Sequence, residues 1–384
     1  MTRVTVLRQL LGKPLVGPAL SNSVFIQARN GHNVAQSRLK RQNLQEEFRN
    51  VFPRIVEELT EDKEYKHIPF AMNWQKEVLE INCTRGKLNR GFTVVDTSIS
   101  LKNGKLTEEE LQNAYIIGWG IEMMQSYYLI MDDYMDQSKT RRGLPCWYLT
   151  KNLGPKALND GFLVLSSMFE LFHKRFSGRE FYRDLIHLFR NVDTTTITGE
   201  CLDIFMTPNK DEKPKFHLFT VENNSKMFHY KTAYYTTYLP VAASMILNGF
   251  KDKSAFDAVR DIAIPLGIYF QEQDDFIDLY GDPNITGKIG TDIQEGKCTW
   301  FAAQALTHGT NEQKKYFQEY YGSQRDEDIR KIRQFYDEMD MKKRFEIHVE
   351  QTLSKIKSDM ENLPENIPSD IFSKIMKALE KREK

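Results

Sequence analysis

Residues 270–300 read FQEQDDFIDLYGDPNITGKIGTDIQEGKCTW. Asp274, Asp275 and Asp278 come ahead of a Gly-Asp-Pro turn, and Lys288 and Lys297 follow it. Carboxylates four apart on a helix share one face, so Asp274 and Asp278 point the same way, toward a hard cation such as Mg²⁺ that takes oxygen ligands. The lysines behind the turn suit phosphate carried by such a metal. Taken alone, Asp-Asp-x-x-Asp is more often a solvated acidic helix face. A second copy changes that reading. Asp132, Asp133 and Asp136 repeat the spacing within YYLIMDDYMDQSKTRRG (127–143), behind another apolar helical run and ahead of Arg141 and Arg142.

Outward from these two stretches the pattern is helical. Phe48, Val51, Phe52, Ile55, Val56 and Leu59 recur at three- and four-residue spacing, the period of an amphipathic helix. The same period covers 74–81, 106–134, 159–176, 180–205, 226–247, 256–279 and 317–360, and strand-like alternation is nearly absent. Pro240 and Pro265 fall inside helical patterns and are expected to kink them. GDPNITG (281–287) and 208–217 read as loops from their Gly, Pro and Asn content. No solenoid repeat and no Gly/Ser/Pro-rich linker divides the chain. The prediction is one all-α domain over 41–384, a single large helical bundle with its active site in a central cavity.

Composition narrows the function. The chain has 384 residues, 40% hydrophobic and 28% charged, with zero formal net charge, which is ample for a large core and offers no electrostatic case for nucleic acid. No apolar run approaches the roughly 20 residues of a membrane-spanning helix. Cys83, Cys146, Cys201 and Cys298 lie far apart, without disulfide-framework or zinc spacing. The histidines form no HExxH-type cluster. GDPNITGKI is not a phosphate-binding P-loop: Gly281 and Gly287 enclose five residues instead of four, Ile289 follows Lys288, and no strand precedes it.

Residues 1 to about 40 differ from the rest. Arg3, Arg8, Lys13, Arg29, Arg38, Lys40 and Arg41 precede the first acid, Glu46, amid Ser, Thr, Leu and Val. This is the composition of a mitochondrial transit peptide, with a disordered basic tail as the alternative.

The two acidic motifs, with GKLNRG (86–91), KTAYYTTYLP (231–240) and TGKIGTDI (286–293), closely resemble the short-chain trans-isoprenyl diphosphate synthases, and among them the farnesyl diphosphate synthases. The resemblance runs from about residue 45 to the C-terminus. It implies an isoprenoid-synthase-type bundle, usually a homodimer, in which an allylic diphosphate ionises, isopentenyl diphosphate attacks the cation, and a proton leaves. The products would be geranyl and/or farnesyl diphosphate.

By the same resemblance, Asp132 and Asp136 would hold two Mg²⁺ ions and Asp274 a third, with Asp133, Asp275 and Asp278 supporting. Arg141, Lys231 and Lys288 would grip the allylic diphosphate with Lys297 nearby, and Lys87, Arg90, Arg142 and Gln125 would form the isopentenyl diphosphate pocket. Thr232 and Gln271 would place oxygen dipoles near the cation. Tyr127 and Tyr128 would floor the pocket that limits chain length. Three features depart from the family pattern: Glu200 where Gly-Gln-x-x-Asp is usual, Tyr134 in the first motif, and a basic tail interrupted by Glu383.

Two other readings stay open on sequence alone. A terpene synthase derived from this scaffold would need the metals but not the second substrate, so decay of Lys87, Arg90, Gln125 or Arg142 would be expected, and none has decayed. A non-catalytic partner subunit would typically lose acids. The leader is tested separately: a reporter fused to residues 1–40 is expected to enter mitochondria, and a reporter remaining in the cytosol rejects that reading.

Overall fold

The computed structural model describes residues 22–61, 65–209, 212–282, 290–380 and 382, with backbone alone over 22–40. Two compact units, Met1–Asn50 and Val51–Lys384, make up the chain. The described part of the first is helical backbone belonging to α1 (Asn22–Thr60). Of the basic leader expected over 1–40, residues 1–21 lie outside the described residues, as does Lys288.

The second unit is all-α. Its central element is α4 (Glu108–Met135), buried from Ala114 to Tyr127 and packed against α2 (Pro69–Cys83), α3 (Asn89–Leu101) and α5 (Ala157–Phe176). The Thr107 side chain accepts the Glu110 amide while the Glu110 carboxylate accepts the Thr107 amide, a reciprocal cap that satisfies two orphan donors. Glu108, Glu109 and Glu110 also complement the positive helix end. Phe52 stacks on Trp119 at 4.1 Å between ring centroids.

α3 has no counterpart among the predicted segments. Its TVVDTSIS core is rich in β-branched residues, which have a modest preference for strands. Val94 and Val95 are fully buried against the bundle, and Ser98 bonds Ser244 at 2.8 Å. Packing overrides propensity here.

A second departure concerns 226–247, predicted as one helix kinked at Pro240. The structure has α7 (Val221–Phe228), then π-helical turns over His229–Tyr238, then α8 (Leu239–Leu247). Pro240 has no N–H for the carbonyl of Thr236, and the wide turns end there. Wide turns of this kind commonly mark functional segments. They run beside α6 (Tyr182–Met206) and α9 (Lys253–Tyr280), and Pro265 sits inside α9.

The pattern over 317–360 divides into Asn311–Tyr320, Asp326–Glu338 and Met341–Met360. The breaks fall at Gly322 (φ 86°) and Asp340 (φ 53°), left-handed conformations that interrupt a right-handed helix. A two-residue hairpin, Thr140–Arg141 with Leu144–Pro145, turns through Arg142 and Gly143, both at positive φ, and separates the two arginines that follow the first acidic motif. The helical bundle agrees with the predicted fold class.

Close backbone approach fixes one contact. A Cβ at Gly199 on α6 would lie 2.0 Å from the Lys231 nitrogen, so only glycine lets α6 reach the π-helical segment. Gly199→Ala is expected to lower stability by about 1–3 kcal/mol, the usual consequence of overpacking, seen as a reduced Tm. Gly178→Ala, with open space around it, serves as the control, and equal melting of the two variants would contradict the packing argument.

Candidate active site

Helix α4 ends in Asp132, Asp133 and Asp136, negative groups at the negative end of the helix dipole. Cations from three other elements offset this. Arg141 on the hairpin donates to Asp133 Oδ1 at 2.9 and 2.5 Å and to Asp132 Oδ2 at 3.1 Å. Lys231 reaches Asp132 Oδ1 at 3.2 Å, and Lys297 reaches Asp136 Oδ2 at 2.7 Å. Burial works against ionised Asp132, but Lys231, Lys297 and Arg141 outweigh it and hold the carboxyl down to about 2. For Asp136 burial prevails over Lys297 and raises the carboxyl above its ordinary range.

The end of α9 is built differently. Asp275 Oδ2 accepts the Trp300 amide at 2.7 Å, and the Asp278 carboxylate accepts the amides of Thr291 and Asp292 at 3.2 and 3.1 Å. These two acids make backbone bonds that fasten the returning chain. A Cβ at Gly290 would lie 1.8 Å from the Asp278 carbonyl oxygen, so the return passes hard against α9. Asp274 remains half-exposed and meets Arg382 of the C-terminal segment. Arg382 also donates to the Phe270 carbonyl at 3.2 Å and lies 3.8 Å over the Phe270 ring.

Lys231 is the hub. Its ammonium lies 3.2 Å from Asp132, 3.0 Å from Glu200 and 2.5 Å from Asp203. One cation cannot match three carboxylates. Burial, with Asp132 and Asp203 adding repulsion, pushes Glu200 up to about 7 despite Lys231. Asp203 stays below its ordinary range through Lys231 and Lys297, which overcome its burial. Beside Lys231, the Thr232 hydroxyl donates to Gln271 Oε1 at 2.8 Å.

A second basic group lies at the start of α3. Arg90 donates to the Thr236 hydroxyl at 3.1 and 2.9 Å and to the Tyr235 hydroxyl at 3.3 Å. With its amide turned to suit both neighbours, Gln125 accepts from Arg90 at 2.9 Å and donates to Glu122 at 3.3 Å. Arg142 lies so close to Gly86 that a Cβ there would be 3.0 Å from the guanidinium. Burial, with Arg141 and Arg90 adding repulsion against the pull of Glu122 and Asp133, lowers Arg142. Lys87 is exposed just ahead of α3. Glu122, buried and accepting the Gly91 amide at 2.7 Å, was missed by sequence reasoning. Its signal was a lone acid inside an apolar helical run.

A cavity of about 700 Å³ opens on the acid–lysine cluster, lined by Asp132, Asp136, Asp274, Lys231 and Lys297 and by the apolar Leu158, Phe162 and Ile197; Arg90, Arg142, Gln125 and Lys87 are outside its lining, with Arg90 bonded to the cavity-lining Tyr235. Tyr127 and Tyr128 line it too, roughly one turn of α4 away from Asp132. Among the described residues no three acidic, His or Cys side chains converge on an ion as they stand. The donor set is all oxygen, as Mg²⁺ requires, and protein cations now occupy it. In that chemical sense the residues fit divalent metal.

An all-α bundle enclosing such a cavity is of the isoprenoid-synthase class. The polyprenyl synthetase family matches residues 72–339. Farnesyl pyrophosphate synthase of Candida albicans is 38% identical over 345 residues, covering 88% of this chain and 98% of that protein. The Gallus gallus farnesyl pyrophosphate synthase is 38% identical over 341 residues, 88% of this chain and 92% of that one. The T. brucei farnesyl diphosphate synthase complexed with minodronate superposes with a TM-score of 0.81 at 31% identity, covering 89% of this chain and all of that one. The chain belongs to the polyprenyl synthetase family.

The Glu200 carboxyl gives a pH test. Because its folded value is raised from 4.5 to about 7, its contribution to stability is complete below pH 4.5 and is lost as pH rises through 7. Glu200→Gln has no such loss. The Tm of Glu200→Gln relative to the parent is expected to rise between about pH 5 and pH 8; a pH-independent difference would refute the assignment.

Proposed function

We propose that the chain is a prenyltransferase that condenses isopentenyl diphosphate with dimethylallyl or geranyl diphosphate, giving geranyl and/or farnesyl diphosphate by ionisation, condensation and elimination. The observation that carries this reading is the presence of two separate groups of basic side chains, the first lining the cavity and the second next to it through the Arg90 bond to the cavity-lining Tyr235. One is the acid–lysine cluster around Lys231; the other is the crowded arginine pair Arg90 and Arg142. A lyase that only ionises one prenyl diphosphate has no need of the second.

The residues divide the work. Asp132, Asp136 and Asp274 would hold the divalent metal, proposed as three Mg²⁺ ions. Bound metal would supply positive charge to the departing diphosphate, where charge builds up in the transition state. Lys231, Arg141 and Lys297 already face the same acids and add fixed positive charge that needs no reorganisation as the allylic C–O bond breaks. Lys288 is proposed beside them. Arg90, Arg142, Lys87 and Gln125 anchor the isopentenyl diphosphate so that its double bond faces the cation. The Thr232–Gln271 pair offers oxygen dipoles near that cation. No side-chain nucleophile is needed.

A homodimer is proposed on the family resemblance, with Phe205 of α6, exposed outside the cavity lining, among the side chains a second copy would cover. A mitochondrial location, with a cytoplasmic form from an alternative start, rests on the acid-free basic leader.

Purified protein given isopentenyl and dimethylallyl diphosphates is expected to make prenyl diphosphates, identified by mass spectrometry, and to stop in EDTA. Absence of any condensation product would sink the proposal, and release of a volatile terpene from farnesyl diphosphate alone would replace it. Asp132→Asn and Asp274→Asn are each expected to reduce kcat on the order of a hundredfold or more with unchanged far-UV circular dichroism.

A further inference from the structure

The structure carries a polar bond in a place the proposed reaction gives no reason for one. Tyr128 Oη on α4 donates to Asp193 Oδ1 on α6 at 3.0 Å. Burial first, and then the Asp193 charge, push the phenol well above its ordinary value, so Tyr128 keeps its proton and is the donor. Its ring also meets Tyr235 of the π-helical segment edge-on at 5.2 Å and lies 5.1 Å from Tyr127.

Asp193 lies on the same helix as the cavity-lining residues Thr196, Ile197, Glu200 and Ile204, which follow it at i+3, i+4, i+7 and i+11, the spacing that keeps side chains on one face. It is itself outside the cavity lining. It stands one turn beyond Thr196 and Ile197, away from the acid–lysine cluster, on the side where the apolar residues and Tyr128 are found. An isoprenoid tail is hydrocarbon and offers Asp193 nothing to bind. Burial raises the carboxyl, with Tyr128 and Arg190 opposing, so a half-buried acid is kept here in spite of its desolvation. The partner that accounts for it is the tyrosine ring.

A tyrosine turns about two side-chain bonds, and packing against other rings leaves it free to slide. A hydrogen bond from its far end to a different helix removes that freedom. We propose that Asp193 is a positioning residue for product length: by accepting the Tyr128 hydroxyl it fastens the ring across the path of the growing tail and ties α4 to α6 at the floor of the pocket. Chain length is then set by an inter-helix polar bond as well as by aromatic bulk. This rests on the prenyltransferase reading, and the test separates the two.

The experiment uses the full chain and four variants, Tyr128→Phe, Asp193→Ala, Asp193→Asn and the double Tyr128→Phe/Asp193→Ala. Two quantities are read: the product distribution, and the calorimetric affinity for geranylgeranyl diphosphate relative to farnesyl diphosphate in Mg²⁺ buffer. Tyr128→Phe keeps the ring and loses only the hydroxyl. It and Asp193→Ala are each expected to raise the twenty-carbon share of product and to improve relative geranylgeranyl binding about threefold to tenfold, the scale of one hydrogen bond. Asp193→Asn, whose amide oxygen still accepts, is expected to stay near the parent. The double variant is expected to match the singles, because both remove the same bond. A folded Tyr128→Phe with parental products and parental relative affinities overturns the inference even if Asp193→Ala does not fold, and so does an additive double variant. Failure of the prenyltransferase reading would appear separately, as no condensation by the parent, while tail-length binding still reports the floor. A parent that binds neither diphosphate overturns the inference as well.

Discussion

The site depends on one buried ammonium. Lys231 sits among Asp132, Glu200 and Asp203, and ionised groups taken out of water are stable only when paired and hydrogen-bonded. The surrounding architecture meets that condition. Gly199 lets α6 approach the Lys231 backbone, the π-helical turns set the lysine between α6 and α9, and Lys297 and Arg141 bring further positive charge to the end of α4. The imbalance that remains, one acid too many for the lysine, falls on Glu200.

The two basic clusters differ in how their charge is stored. In the acid–lysine cluster, protein cations are already engaged with protein anions, so a divalent metal and a diphosphate would arrive as a charge-matched set and exchange partners with groups at hand. Around Arg90 and Arg142 positive charge is in excess. Arg90 is oriented by the hydroxyls of Tyr235 and Thr236 and by Gln125, and buried Glu122 in turn holds Gln125 and the start of α3. Arg90 is thus held in place by neutral groups. Such a division suits a reaction in which one diphosphate must leave and the other must stay.

Structural support and chemistry are divided within each acidic motif. Asp133, Asp275 and Asp278 spend their oxygens on Arg141 or on backbone amides, which orient the neighbouring acids. Asp132, Asp136 and Asp274 face mobile-ended lysine and arginine side chains that can yield. The motif spacing alone treats all six alike. Asp274, Asp275 and Asp278 all border the cavity, and the difference arises because the chain returning over 291–300 brings backbone amides to Asp275 and Asp278.

The sequence by itself determined the helical class, through its three- and four-residue apolar period, and the chemistry, through two acidic repeats each trailed by cations. Periodicity is local, and a hydrophobic face survives any packing partner, so these features were legible without a fold. The existence of α3 was not, because β-branched residues such as Val94 and Val95 become helical only when a neighbouring surface buries them. The π-helical turns were not legible either, since they follow from backbone proximity at Gly199 together with Pro240. Glu122 and Asp193 carried no motif; their roles come from contacts to Gly91 and Tyr128 across long stretches of chain. Which acid binds a cation, which clasps a backbone amide and which stays protonated near neutrality is a matter of distance and burial, and only tertiary structure sets those.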